Sequence, residues 1–114
     1  MGWIDLLSEL AGTFSGPYSS LRRVYRDAVF QAESGKGKER HACDGEAFEN
    51  QQICEINRRL GSNEGALFQA VKKIYESKRL GREAAIRELL GALNYTAAAI
   101  ILLREGGNNG RDDR

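Results

Sequence analysis

Residues 62–105 read SNEGALFQAVKKIYESKRLGREAAIRELLGALNYTAAAIILLRE, two helical patterns joined at Leu80-Gly81-Arg82. In the first, Leu67, Ala70, Val71 and Ile74 recur at the i, i+3, i+4, i+7 spacing of one buried stripe. Ser62 or Asn63 supplies an N-cap and Glu64 meets the positive end of the helix dipole, while Lys72, Lys73, Lys78 and Arg79 lie toward its negative end. Gly81 stands where a left-handed C′ glycine closes a helix. The second pattern starts near Arg82, and its stripe of Ile86, Leu89, Leu90, Leu93, Ala97, Ile100 and Ile101 is expected to face the core. After Leu90 a second face turns apolar, made of Ala92, Ala98, Ala99, Leu102 and Leu103. A helix that is apolar around most of its circumference is covered around most of it. A chain this short has little material to cover both faces. The expectation is therefore either a homodimer that buries Ala92, Ala99, Leu102 and Leu103 between copies, or a central helix wrapped by the others. A membrane span is not expected, because Asn94 and Thr96 break the apolar run below the roughly 20 residues a bilayer needs.

Upstream of this pair the pattern stays helical. Trp3, Ile4, Leu7, Leu10, Ala11 and Phe14 predict a short amphipathic helix ending near Gly12. Alone in water it is too short to be stable, so it must dock, by default on its own core. Ser15-Gly16-Pro17 starts the next helix, which runs to about Glu33 with Leu21, Val24, Tyr25, Ala28 and Val29 inward. Ser34-Gly35-Lys36-Gly37-Lys38 is a loop. It lacks both the spacing and the preceding strand of a P-loop. A third helix begins between Glu39 and Glu46 and ends at Leu60-Gly61, with Phe48, Ile53, Ile56 and Leu60 inward. The tail from Gly106 to Arg114 has nothing to bury and is expected to be disordered. The expected architecture is all-α, one domain over residues 1–105, a compact bundle of about five helices with a long last helix.

Composition narrows the function classes. The chain has 114 residues, 41% apolar and 29% charged, enough for one core without staples. A net charge of +1 creates no global field to attract nucleic acid or an anionic membrane. Cys43 and Cys54 would lie about 16 Å apart on one helix, too far for a disulfide, which points to the cytoplasm. Residues 1–14 lack a basic n-region and carry Asp5 and Glu9, so no signal peptide is expected. Leu6 stands where a myristoylation signal needs Ser or Thr.

Chemistry is sparse. His41, Cys43 and Cys54 do not follow the paired spacing of a zinc site, and His41, the single histidine, would have to fold back to activate Cys43. No catalytic residue, metal or cofactor is expected. Two basic groups could hold phosphate: Arg22, Arg23, Arg26, Lys36, Lys38 and Arg40 in one half, with Lys72 and Lys73 in the other. Neither a helix-turn-helix nor an aromatic stacking platform accompanies them.

Gln69-Ala70-Val71-Lys72-Lys73, Arg79-Leu80-Gly81 and the run from Glu88 to Tyr95 together resemble the C-terminal hairpin of small phage-encoded nucleotide-kinase-like proteins. Lys72, Gly81, Leu89, Ala92 and Tyr95 carry the likeness, whereas Phe68-Gln69 and Lys73 depart from that pattern. More distantly, the last helix is similar to that of MazG-like all-α nucleoside-triphosphate pyrophosphohydrolases, which hold Mg²⁺ on clustered acids. Gly91 stands where the last of those acids is expected, and no E-E-x-x-E occurs. The resemblance implies a helical fold, of phage or mobile-element type, without the catalytic acids. The residues themselves carry two functional expectations: a non-catalytic protein that self-associates and binds a protein partner, from the doubly apolar last helix, the amphipathic N-terminus and the lack of a catalytic set, or a binder of a nucleotide or nucleic acid through the basic groups. A degenerate pyrophosphohydrolase is a third.

Overall fold

The computed structural model describes residues 15–34 and 45–106, and within them every regular element is helical. Helix α1 is Ser19–Ser34, α2 is Gln52–Leu60, α3 is Glu64–Ser77 and α4 is Arg82–Arg104; a single 3₁₀ turn, Phe48–Asn50, precedes α2. The all-α expectation is met at that level. The amphipathic stretch at residues 3–14 and the loop at 35–38 lie outside the described residues.

Helix α4 is the axis. Helix α3 packs along it, with Lys73 reaching Glu88; α1 packs toward its N-terminal half, through Gln31 to Arg87 and Ala28 to Asn94, and α2 on its C-terminal half. The core is small: Ile53 and Cys54 of α2 meet Ala98 and Leu102 of α4, with Phe48 and Tyr95 packed against them. A bidentate ion pair closes the far end, Arg58 donating to both Glu105 carboxylate oxygens at 3.0 and 2.9 Å. The same guanidinium reaches Glu55 at 2.8 Å and the Glu49 carbonyl at 2.9 Å.

Helix ends follow the local chemistry. Gly61 closes α2 at φ 70°, with the Gly61 and Ser62 amides returning to the Arg58 and Asn57 carbonyls, the left-handed closure only glycine accepts easily. Gly81 behaves differently from the sequence expectation. It is extended (φ −67°, ψ 167°) and forms the N-cap of α4. Two residues, Ser62 and Asn63, separate Gly61 from α3, whereas α4 starts immediately after Gly81. One residue cannot be both a left-handed stop and an extended start, so α3 ends earlier, at Ser77, and winds down through tight i→i+3 bonds at Lys78, Arg79 and Leu80. The start of the third predicted helix is corrected as well. Gln51 is extended (φ −76°, ψ 166°), so the helix begins only at Gln52.

The larger correction concerns which faces are inside. Nine apolar residues among those described are buried and six of them are alanines: Ala28, Ala66, Ala70, Ala92, Ala98 and Ala99. The stripes expected to face inward are largely outside. Leu21, Val24, Tyr25 and Val29 of α1 are exposed, as are Ile56 and Leu60 of α2, Leu67, Val71 and Ile74 of α3, and Ile86, Leu89 and Ile100 of α4. Alanine lets two backbones approach closely, and helices so packed turn their larger side chains to the flanks. Helix α4 is also 23 residues long and apolar over most of that length. By length and composition it is long and apolar enough to cross a membrane, which corrects the shorter estimate. Asn94 and Thr96 do not break it: the Asn94 amide donates to the Ala28 carbonyl (3.0 Å) and the Thr96 hydroxyl to the Ala92 carbonyl (2.8 Å).

Candidate interaction surface and adjoining groove

The outer face of α4 has its own order. Ile86, Leu93 and Ile100 recur every seven residues, and Leu89, Thr96 and Leu103 recur every seven between them. This is the a/d spacing of a helix that packs against another helix. Ile86, Leu89, Ile100 and Leu103 are 45, 42, 45 and 52% exposed. Leu93 is half-buried and Thr96 exposed. The stripe is centred away from the α4 face that buries Ala98, Ala99 and Leu102, and the described helices leave its large side chains about half exposed.

A groove of about 640 Å³ opens on the other side, between α1, the 3₁₀ turn and the N-terminal half of α4. Phe30, Phe48 and Tyr95 contribute rings, and Gln31, Gln51 and Asn94 contribute amides. Each amide nitrogen donates to a backbone carbonyl, respectively of Arg87, Glu46 and Ala28, at 3.0 to 3.1 Å. Lys73 lies along the groove with its ammonium 3.2 Å from a Glu88 oxygen and 5.9 Å from the centre of the Tyr95 ring. Gly91 makes room for its stem, since a Cβ there would meet Lys73 Cδ at 3.0 Å.

The candidate phosphate ligands do not assemble into one described site. Arg22, Arg23 and Arg26 lie exposed along α1, with Arg26 on Asp27 at 2.9 Å. Lys72 sits on the exposed face of α3, 3.7 Å from Glu76. Lys73, the best-shielded of the group, is held by Glu88. Lys36, Lys38 and Arg40 lie outside the described residues. Of the residues expected at a dimer interface, Ala92, Ala99 and Leu102 are buried within the protomer, and only Leu103 is exposed. The physical reason is the alanine packing: the small second face of α4 accepts the protomer's own helices, leaving the larger first face outside.

Comparison of the chain with known protein families, curated proteins and solved structures finds no match. The described residues contain no group of three or more His, Cys, Asp or Glu side chains placed to hold a metal ion. His41 and Cys43 lie outside them. Cys54 is fully buried, and burial pushes its thiol up to about 11, with Glu105 and Glu49 adding to the rise against the pull of Arg58. Such a thiol is protonated at neutral pH and is a poor nucleophile. Sequence reasoning missed the α4 heptad as a surface feature. Its signal was present in the spacing, but spacing does not say on which side of the surface a stripe lies.

Proposed function

We propose that the chain is a non-catalytic helical interaction protein whose working form is an oligomer of itself. The observation that carries this reading is the inversion of large and small apolar residues. Eighteen large apolar side chains are exposed among the described residues, while only Ile53, Cys54 and Leu102 join six alanines in the interior. Along α4 several of the exposed ones share one face, Ile86, Leu89, Ile100 and Leu103, and an apolar face exposed in this way marks a site of association. Covering a half-exposed leucine or isoleucine contributes about 1 kcal/mol, so a few helix faces together offset the free energy lost on association. The alternative, a phosphorylated ligand held by the basic side chains, has weaker support. Lys73 is engaged by Glu88, and the α1 arginines and Lys72 sit on exposed faces rather than around one cleft.

The test is native mass spectrometry and sedimentation equilibrium of the full chain without added ligand. A species at two or more times 12.7 kDa is expected, with a thermal midpoint that rises with protein concentration. A monomer at tens of micromolar, with a midpoint independent of concentration, overturns the reading.

A further inference from the structure

Resting on that reading, we infer that two copies pair along the exposed α4 stripe, antiparallel, about a twofold axis between Asn94 and Tyr95. The stripe fits itself in this orientation. In an antiparallel helix pair each a position meets a d position of the other helix. That places Ile86 against the partner's Leu103, Leu89 against the partner's Ile100, and Leu93 against the partner's Thr96, so all six positions find an opposite number. Thr96 does not spoil the middle layer, because its hydroxyl is already satisfied by the Ala92 carbonyl at 2.8 Å and its methyl is free to pack.

Charge decides the orientation. Along one flank of the stripe run Glu83, Leu90, Ala97 and Arg104. Antiparallel pairing brings Glu83 beside the partner's Arg104, and symmetry repeats the contact at the other end. Leu90 and Ala97 meet their counterparts between these two pairs. Parallel pairing sets the flank against Ala85, Ala92 and Ala99 and leaves both charges without an opposite. Both are exposed, and neither makes an ion pair with another described residue. Opposed helix dipoles favour the same orientation. A second copy also suits this face better than lipid. Helix α4 carries α1, α2 and α3 on its remaining faces, with the Lys73–Glu88 and Arg58–Glu105 pairs close to its surface. Burying α4 in a bilayer would carry those charges with it.

Three variants of the full chain, each compared with wild type by sedimentation, test the pairing. Leu89→Glu with Ile100→Glu removes one layer twice over and is expected to weaken dimerisation at least 100-fold while helicity is retained. Arg104→Glu alters only an exposed charge and is expected to weaken it several-fold, with the added Glu83→Arg restoring affinity. Orientation is read by oxidative cross-linking in a Cys43→Ser background. The Ile86→Cys, Leu103→Cys pair should cross-link readily, and Ile86→Cys alone should not. A monomeric wild type overturns the self-association reading itself. A wild-type dimer unmoved by the layer and charge variants overturns this surface and leaves that reading standing. Cross-linking of Ile86→Cys alone overturns the antiparallel orientation. A wild type that remains monomeric and floats with phosphatidylcholine vesicles gives the face to lipid and overturns both.

Discussion

A single amide joins two helices near the middle of the chain. Asn57, buried on α2, donates to the Ile53 carbonyl at 2.9 Å and accepts from the Ala66 amide at 3.1 Å, one of the donors left open at the start of α3. Asn63, at the N-cap position itself, makes no capping side-chain bond. The closeness of this contact explains Gly65: a Cβ there would stand 2.8 Å from Asn57 Oδ1. Asn57→Ala should therefore cost about 1–2 kcal/mol, as loss of a cap or a buried hydrogen bond does. Gly65→Ala should destabilise the wild type by displacing the cap. In the Asn57→Ala background the same substitution should stabilise by up to about 1 kcal/mol, because only the helix preference for alanine remains. Urea denaturation of the four proteins checks the reversal, and an equal effect of Gly65→Ala in both backgrounds would refute it.

At the scale of elements, the C-terminal end of α4 is tied to α2 by the Arg58 fork. Hydrogen bonding from Arg58 holds the Glu105 carboxyl below its ordinary value of 4.5, and Arg59 ahead of Arg58 does the same for Glu55. A carboxylate whose folded value is depressed contributes stability above its unfolded value, and the contribution is lost as pH falls through the lower folded value. The thermal midpoint should thus be flat from neutral pH to about 5 and fall below about 4.5. Glu105→Gln should lower the neutral-pH midpoint and shrink that acid-side fall, as read by circular dichroism across a pH series. An unchanged pH profile would remove the ion pair as a stabilising element.

The helices themselves were legible in residues 62–105, since a 3.6-residue period survives whatever the stripe touches. The starts of α3 and α4 were also legible, from Asn63-Glu64 and from Gly81-Arg82. Their inward faces were not. Leu67, Val71 and Ile74 make a stripe that reads identically against its own core or against another molecule. Ala66 and Ala70 bury too little surface to stand out in a hydropathy pattern, yet they permit the close approach of α3 to α4. Gly81 was misread because its conformation depends on how soon the next helix begins. The groove around Lys73 joins residues about sixty positions apart, from Phe30 to Asn94, and no local pattern marks such a meeting.

For the molecule as a whole, one buried sulfur supplies a means of timing. Cys54 is fully enclosed where α2 meets α4, so an alkylating reagent reaches it only when those helices part. In a Cys43→Ser chain, thiol modification becomes a clock for that opening, with a rate set by the fraction of molecules momentarily ajar. If pairing of copies holds the protomer together, the clock slows as the solution is concentrated. A rate independent of concentration would mean that each chain keeps α2 against α4 unaided. The buried thiol of Cys54 thus becomes a built-in reporter of how long the fold stays shut.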